Sequence, residues 1–216
     1  MIEHRNEFID TIKLLDKHDL LEHLILIGSW AEYLYEKCEV VEDFISTTKT
    51  YDVDFLIKNI NKPRNKVDLI KIFEGEDYLV DQSRNEIVVF RKKDFEIEFL
   101  ARQIGKPESP IKSPALGIKA EALGHMSIID KNTIDVFYNE KQIKIPDPYA
   151  FMLHKIIINP KRKDKKEKDL MAINNLYLYL SNSEDWNEKF HSMFNSLTKK
   201  EKKIVTTFVE EQGWEV

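Results

Sequence analysis

Two aspartates, Asp52 and Asp54, stand two residues apart in YDVDFLI at 51–57, and two glutamates, Glu96 and Glu98, share that spacing in FEIEFLA at 95–101. Side chains alternate across an extended chain, so each pair points to one face of its strand. Carboxylates set side by side among Val53, Phe55, Leu56 and Ile57 are costly to keep ionised unless a cation neutralises them. A divalent metal is the usual neutraliser, and magnesium or manganese favours such oxygen ligands. Upstream, the apolar run LILI at 24–27 ends in Gly28-Ser29. A small turn of that kind, opening onto a helix N-terminus, brings backbone N–H groups and a hydroxyl to phosphate. The chemistry implied is phosphoryl or nucleotidyl transfer, in which carboxylate-held metal ions neutralise a triphosphate.

The elements that must position these residues follow from periodicity. Phe8, Ile12, Leu15 and Leu20-Leu21 recur at near-helical spacing and predict an amphipathic helix over 3–22. A short buried strand at 24–27 leads to Ser29, which can cap a helix over 30–38 with Trp30, Leu34 and Cys38 on one face. Residues 39–50, with Ser46, Thr47, Thr48 and Thr50, read as a loop or insertion before the strand at 51–57. A turn around Pro63 and a helix near 65–74 come next, then strands at 78–81, 86–91 and 95–101. The stretch 104–115 holds Gly105, Pro107, Pro110 and Pro114 and is the best candidate for a domain boundary, dividing a core at 1–104 from a C-terminal part at 105–216. That part begins with a segment at 127–145 that resembles a strand pair, Ile134–Tyr138 and Gln142–Ile145, turning at Asn139-Glu140. It continues as helices: one capped by Asp147 with Pro148 at its first position, then others near 164–181, 184–195 and 198–212. Thr198 followed by Glu201 forms a capping box.

The chain's 216 residues carry 33 Lys and Arg against 38 Asp and Glu, a net charge of −5, with 42% hydrophobic residues. That composition supports a real core and argues against disorder and against wholesale coating of nucleic acid. A single cysteine, Cys38, excludes an internal disulfide framework and a cysteine-based zinc site. No apolar run approaches the roughly 20 residues of a membrane helix, and the charged MIEHRNEFID lacks the apolar core of a signal peptide. The expectation is a cytoplasmic protein without membrane partners.

Gly-Ser before a helix, a D-x-D strand and a later strand acid together resemble the DNA polymerase β-like nucleotidyltransferase superfamily. Within it LIGSWAEYLY and TTKTYDVDFLI are most similar to the minimal bacterial nucleotidyltransferases and to the type IV toxin and abortive-infection enzymes. The resemblance implies an α/β (α+β) fold, a mixed sheet flanked by helices, with a mainly helical C-terminal part. It implies transfer of a nucleoside monophosphate from an NTP to a hydroxyl of an RNA or tRNA end, a protein or a small molecule. A catalytically inactive nucleotide-binding protein of the same fold is the alternative. By resemblance Gly28 and Ser29 hold phosphate, Asp52 and Asp54 ligate Mg²⁺ or Mn²⁺, and Glu98 is third ligand and activates the acceptor hydroxyl. Glu96 competes for that role; the apolar Phe99-Leu100 behind Glu98 favours Glu98. More loosely, Pro148…His154-Lys155 and Lys161-Arg162…Lys168-Asp169-Leu170 follow the same family order. Lys155 would then contact nucleotide phosphate, and Asp169 would orient it or a lysine. Residues 39–50 would be an insertion beside the site, and a toxin setting would imply an antitoxin partner.

Other candidates have plainer readings. The basic segment 161–168 is either a solvated helix start or a phosphate or RNA-backbone patch with salt-sensitive binding. Trp30 reads as core rather than a base-stacking platform. The six histidines show no metal-ligand spacing, and Cys38 reads as a small buried hydrophobe.

Overall fold

The computed structural model describes residues 4–46, 51–103 and 110–215. Eight α-helices and nine strands are present among them. In chain order they are α1 (Arg5–Lys17), β1 (Leu24–Ile27), α2 (Ser29–Lys37), β2 (Asp52–Ile57), α3 (Leu69–Glu74), β3 (Leu79–Gln82), β4 (Val88–Lys92), β5 (Phe95–Arg102), β6 (Ile111–Ser113) and β7 (Ile118–Leu123). They continue with α4 (Ser127–Lys131), β8 (Thr133–Tyr138), β9 (Lys141–Pro146), α5 (Pro148–Ile158), α6 (Lys166–Leu180), α7 (Trp186–Asn195) and α8 (Lys199–Gln212). The chain divides into two compact units: residues 1–31, 49–124 and 134–145 in the first, 32–48, 125–133 and 146–216 in the second.

The first unit is built on a seven-stranded mixed sheet, with β1-β2-β5-β4-β3 as its main path. β2 runs parallel to β5, and β1 pairs antiparallel with the other edge of β2. The opposite edge of β5 is shared: β4 takes Phe95–Glu98 antiparallel, and β7 takes Leu100–Arg102 in parallel. Along β2 and β5 burial alternates, with Val53, Phe55, Ile97 and Phe99 wholly buried on one face. There Phe55 stacks on Phe99 with ring centroids 5.7 Å apart, and Phe73 of α3 stacks on Phe90 at 4.3 Å. The sidedness fixes the register, because a one-residue slip would turn every apolar side chain outward. α1 buries Phe8, Ile12 and Leu15, and Phe8 stacks on Trp30 at 4.1 Å. Trp30 is thus core, 1% exposed. The β8–β9 turn places Asn139 and Glu140 at φ 47° and 63°, the left-handed pair that a tight two-residue hairpin needs.

The second unit is helical and organised on α5. All but the last of that helix's eleven residues are buried, and a helix apolar all round belongs at the centre of a bundle. It packs against α4, α6, α7 and α8. Asp147 caps it, its carboxylate accepting from the N–H groups of Tyr149 at 2.9 Å and Ala150 at 3.4 Å. Thr198 and Glu201 form the reciprocal capping box of α8, which ends on Gly213 at φ 65°.

The periodicity-based elements and the observed ones agree closely in the C-terminal helices and in β1, β2 and β5. The helix expected near 65–74 is shorter, Leu69–Glu74, with Asp68 as its cap. β6 and β7 fall where the sequence predicts no element, and α4 takes the start of the 127–145 segment expected as a strand pair. Their signals are weak because they are short and because β7 (IKAEAL) mixes charges with alanine. Part of the polar 39–50 segment and the start of the proline-rich stretch, 47–50 and 104–109, lie outside the described residues.

Candidate active site

The parallel pairing of β2 with β5 sets Asp52 opposite Glu96 and Asp54 opposite Glu98. Directly opposed residues on neighbouring strands share a face, so all four acids lie on the side away from the phenylalanine core. Each is half-buried; Asp54, Glu96 and Glu98 lie between fully buried neighbours, whereas Asp52 follows the exposed Tyr51. β1 brings the Gly-Ser turn to the same place, since Ile27 pairs with Asp54. Gly28 follows at φ 70°, and a Cβ added there would lie 2.5 Å from Asp54 Oδ2. Two constraints therefore demand glycine: left-handed backbone, and a carboxylate occupying the space of a side chain. Ser29, 8% exposed, opens α2, and the Ala31 N–H reaches back to the Gly28 carbonyl at 3.2 Å.

Glu96 and Glu98 have different neighbours on β4. Glu96 is in register with Arg91 and ion-pairs with it, and Arg91 also lies 2.6 Å from Asp81 Oδ2. Glu98 faces Val89 on that side and Asp54 on the other. Arg91 holds Glu96 in a cross-strand charge ladder; Glu98 sits next to the aspartates. The sequence reading did not use Arg91, although its alternation with Val89 in VVFRK was a usable signal.

The donor set fits a hard divalent cation: it is all oxygen, half-exposed and gathered on one sheet face. Among the described residues no group of three or more His, Cys, Asp or Glu side chains is placed to hold a metal ion by itself. Magnesium commonly takes one or two carboxylates and completes its shell with water and substrate phosphate, a mode that two acids of this face would suffice for.

The remaining two sequence candidates lie in the second unit, paired with each other. Lys155, 8% exposed, donates to Asp169 Oδ1 at 3.0 Å, and Asp169 is 4% exposed. The same ammonium lies 3.7 Å from Glu32 Oε1 and 4.9 Å above the Phe151 ring. Arg162 Nε stands 3.5 Å from Asp169 Oδ2. Glu32, fully buried on α2, was missed from sequence. The usable signal was an acid inside a helix whose neighbours Trp30, Ala31, Tyr33, Leu34 and Tyr35 are all buried, a placement that requires a cation. Beside Lys155, burial above all, with help from Lys155 and Arg162, pushes the His154 imidazole down to about 3. His154 is therefore neutral at physiological pH.

Comparison with known proteins identifies the family of the chain. A nucleotidyltransferase family model matches residues 6–198, and the chain belongs to that nucleotidyltransferase family. No curated protein matches it in sequence. Among solved structures, an antigenic nucleotidyltransferase-like protein from Paracoccidioides brasiliensis is similar at a TM-score of 0.53 and 14% identity, over 94% of this chain and 86% of that one. The antibiotic-resistance factor ANT(2'')-Ia, solved in complex with adenylyl-2''-tobramycin, is similar at a TM-score of 0.52 and 12% identity, over 94% of this chain and 97% of that one. At such identities the likeness is one of fold.

Proposed function

We propose that the protein transfers a nucleoside monophosphate from an NTP to a hydroxyl acceptor, releasing pyrophosphate, on the acidic face of its sheet. The observation that carries this reading is the β2–β5 register, which lines up Asp52, Asp54 and Glu98 beside the Gly28-Ser29 turn in a chain of nucleotidyltransferase family. Gly28 and Ser29 bind phosphate through backbone N–H groups and the Ser29 hydroxyl at the start of α2. Asp52, Asp54 and Glu98 would hold Mg²⁺ or Mn²⁺, whose chemistry when bound is to neutralise the triphosphate and the charge that develops in the transition state. Glu98 orients the acceptor hydroxyl and takes its proton as the bond to phosphorus forms. Gly28 keeps the approach to Asp54 open. Lys155 and Asp169 act as an oriented pair in the second unit, with Asp169 holding the lysine.

The test is incubation with each of the four NTPs, Mg²⁺ or Mn²⁺, and RNA, protein and aminoglycoside acceptors, reading pyrophosphate release and the mass of the acceptor. A mass increment of one nucleotide that disappears in Asp54→Asn supports the reading. NTP binding without pyrophosphate release under all these conditions would replace it with a nucleotide-binding protein that has lost catalysis. Cleavage of a nucleic acid without an adduct would replace it with a phosphodiesterase on the same acids.

A further inference from the structure

The transfer chemistry leaves one strongly charged surface of the second unit unused. Ten of the chain's 33 Lys and Arg fall in 161–168 and 199–203, against only three of its 38 Asp and Glu, in a protein of net charge −5. The fold joins these two stretches through His125. Its Nε2 lies 2.9 Å from Lys161 Nζ, and its Nδ1 lies 2.8 Å from Glu201 Oε1. An ammonium can only donate, so Nε2 accepts from Lys161 and the Nδ1–H donates to Glu201. The two basic runs are one patch.

Both runs set lysines at a helix start that also holds first-turn acids, Glu167 and Asp169 in α6 and Glu201 in α8. Residues 165–168 form the cap and first turn of α6, and 199–203 open α8. A helix N-terminus carries partial positive charge that favours carboxylates and disfavours ammonium groups. The lysines in excess of those acids gain nothing from that end of a helix, whereas a bound polyanion relieves their repulsion. Lys163, Lys166, Lys199, Lys200 and Lys203 are exposed, and none is ion-paired among the described residues. The large exposed hydrophobic residues, such as Met171 and Leu178, all lie outside both stretches, so the patch offers no apolar wedge for a lipid surface. Regularly spaced phosphates are what it fits.

We propose that the surface formed by residues 161–168 and 199–203 binds the phosphodiester backbone of a nucleic acid whose terminal hydroxyl is the acceptor. The acceptor assignment rests on the transfer reading above; the binding surface does not.

The experiment measures anisotropy of fluorescein-labelled 20-nucleotide RNA and DNA of one sequence, from 50 to 300 mM KCl. Wild type is expected to show a log–log salt slope of about −4, corresponding to roughly six phosphate contacts on a single strand. The charge-reversed chain Lys163→Glu/Lys166→Glu/Lys200→Glu/Lys203→Glu is expected to bind about 100-fold more weakly at 100 mM KCl, with a shallower slope. Its thermal midpoint should be unchanged or higher, because glutamate suits a helix N-terminus. Asp54→Asn should bind as wild type does while losing transfer. The RNA and DNA arms identify the sugar, and a 3′-phosphorylated oligonucleotide should bind yet accept nothing. Equal binding by wild type and the charge-reversed chain overturns the proposal, as does capture of phosphatidylserine vesicles in place of either oligonucleotide. Transfer to a small molecule without nucleic-acid binding overturns the surface and leaves the transfer reading standing. Nucleic-acid binding without pyrophosphate release from any NTP overturns the acceptor assignment through the transfer reading.

Discussion

Both units gather carboxylates, and they treat them in opposite ways. On the sheet of the first unit, Asp52, Asp54 and Glu98 are half-exposed on the face away from the phenylalanine core. In the second unit Glu32 and Asp169 are sealed, 0% and 4% exposed, with Lys155 between them and Arg162 near Asp169. A half-exposed carboxylate keeps much of its hydration and can exchange water for a metal or phosphate-bearing ligand. A buried one costs several kcal/mol to desolvate and survives only with a protein cation in place. The same residue types therefore stay available for the proposed ligand exchange in one region and are tied to a protein cation in the other, and burial decides which.

Breaking each side of this contrast should give a different loss. The largest expected effect is Asp54→Asn, which should cut nucleotide transfer by at least about 1,000-fold, in line with removal of charge stabilisation at a phosphoryl-transfer site. Its urea midpoint should stay near that of wild type. Activity within about tenfold of wild type would remove the acidic face from the mechanism.

Lys155→Met should do the reverse and strike stability first. Leaving Glu32 and Asp169 buried without their cation should cost about 3–5 kcal/mol, read by urea denaturation, and Lys155→Met/Asp169→Leu should recover part of it. A single variant as stable as wild type would show that the buried cluster is not held by its charges.

The contrast also exists within one strand. Glu98→Gln should lower transfer about 100-fold, whereas Glu96→Gln should stay within about threefold, because Arg91 already claims Glu96 and charge-assisted partners hold such a side chain in place. Reversed magnitudes would exchange the two roles. Gly28→Ala should be milder in stability, costing about 1–2 kcal/mol for a side chain at positive φ. It should still slow transfer, because the new methyl displaces the Asp54 carboxylate.

A last effect concerns pH and the buried cluster. His154 is held neutral, its pKa lowered to about 3 from 6.5. The unfolded chain binds a proton there that the native chain refuses, so stability is fully present above about pH 6.5 and falls with pH towards 3, by up to about 1.4 kcal/mol per pH unit. Urea midpoints at pH 7, 6 and 5 should decline less steeply in His154→Leu. Parallel declines would show that His154 does not carry the dependence.

Much of the fold was legible in the sequence, for local reasons. The C-terminal helices carry their own caps, Asp147-Pro148 and Thr198 with Glu201, and these are signals within four residues. β6 and β7 were not legible, because short strands take their stability from partners far along the chain; Ser113, for instance, donates to the Ile60 carbonyl at 2.9 Å. Of the candidate site, the D-x-D and E-x-E spacings say which side chains share a face of their own strand. They say nothing of which strand lies beside which. The choice between Glu96 and Glu98 turns on Arg91, a neighbour supplied by register.

By itself, the sequence determined what depends on alternation, caps and composition: the helices, the main strands, the pairing of Asp52 with Asp54 on one face, and the nucleotidyltransferase character of the chain. Tertiary structure alone decided three things. It set Asp54 beside Glu98 and against Gly28, drew Glu32 to Lys155, and joined two distant lysine runs through His125. The physical reason is the same in each case. Backbone periodicity acts over a few residues, whereas strand register and helix packing bring together side chains tens of residues apart, and only their contacts settle which charges are sealed and which face a ligand.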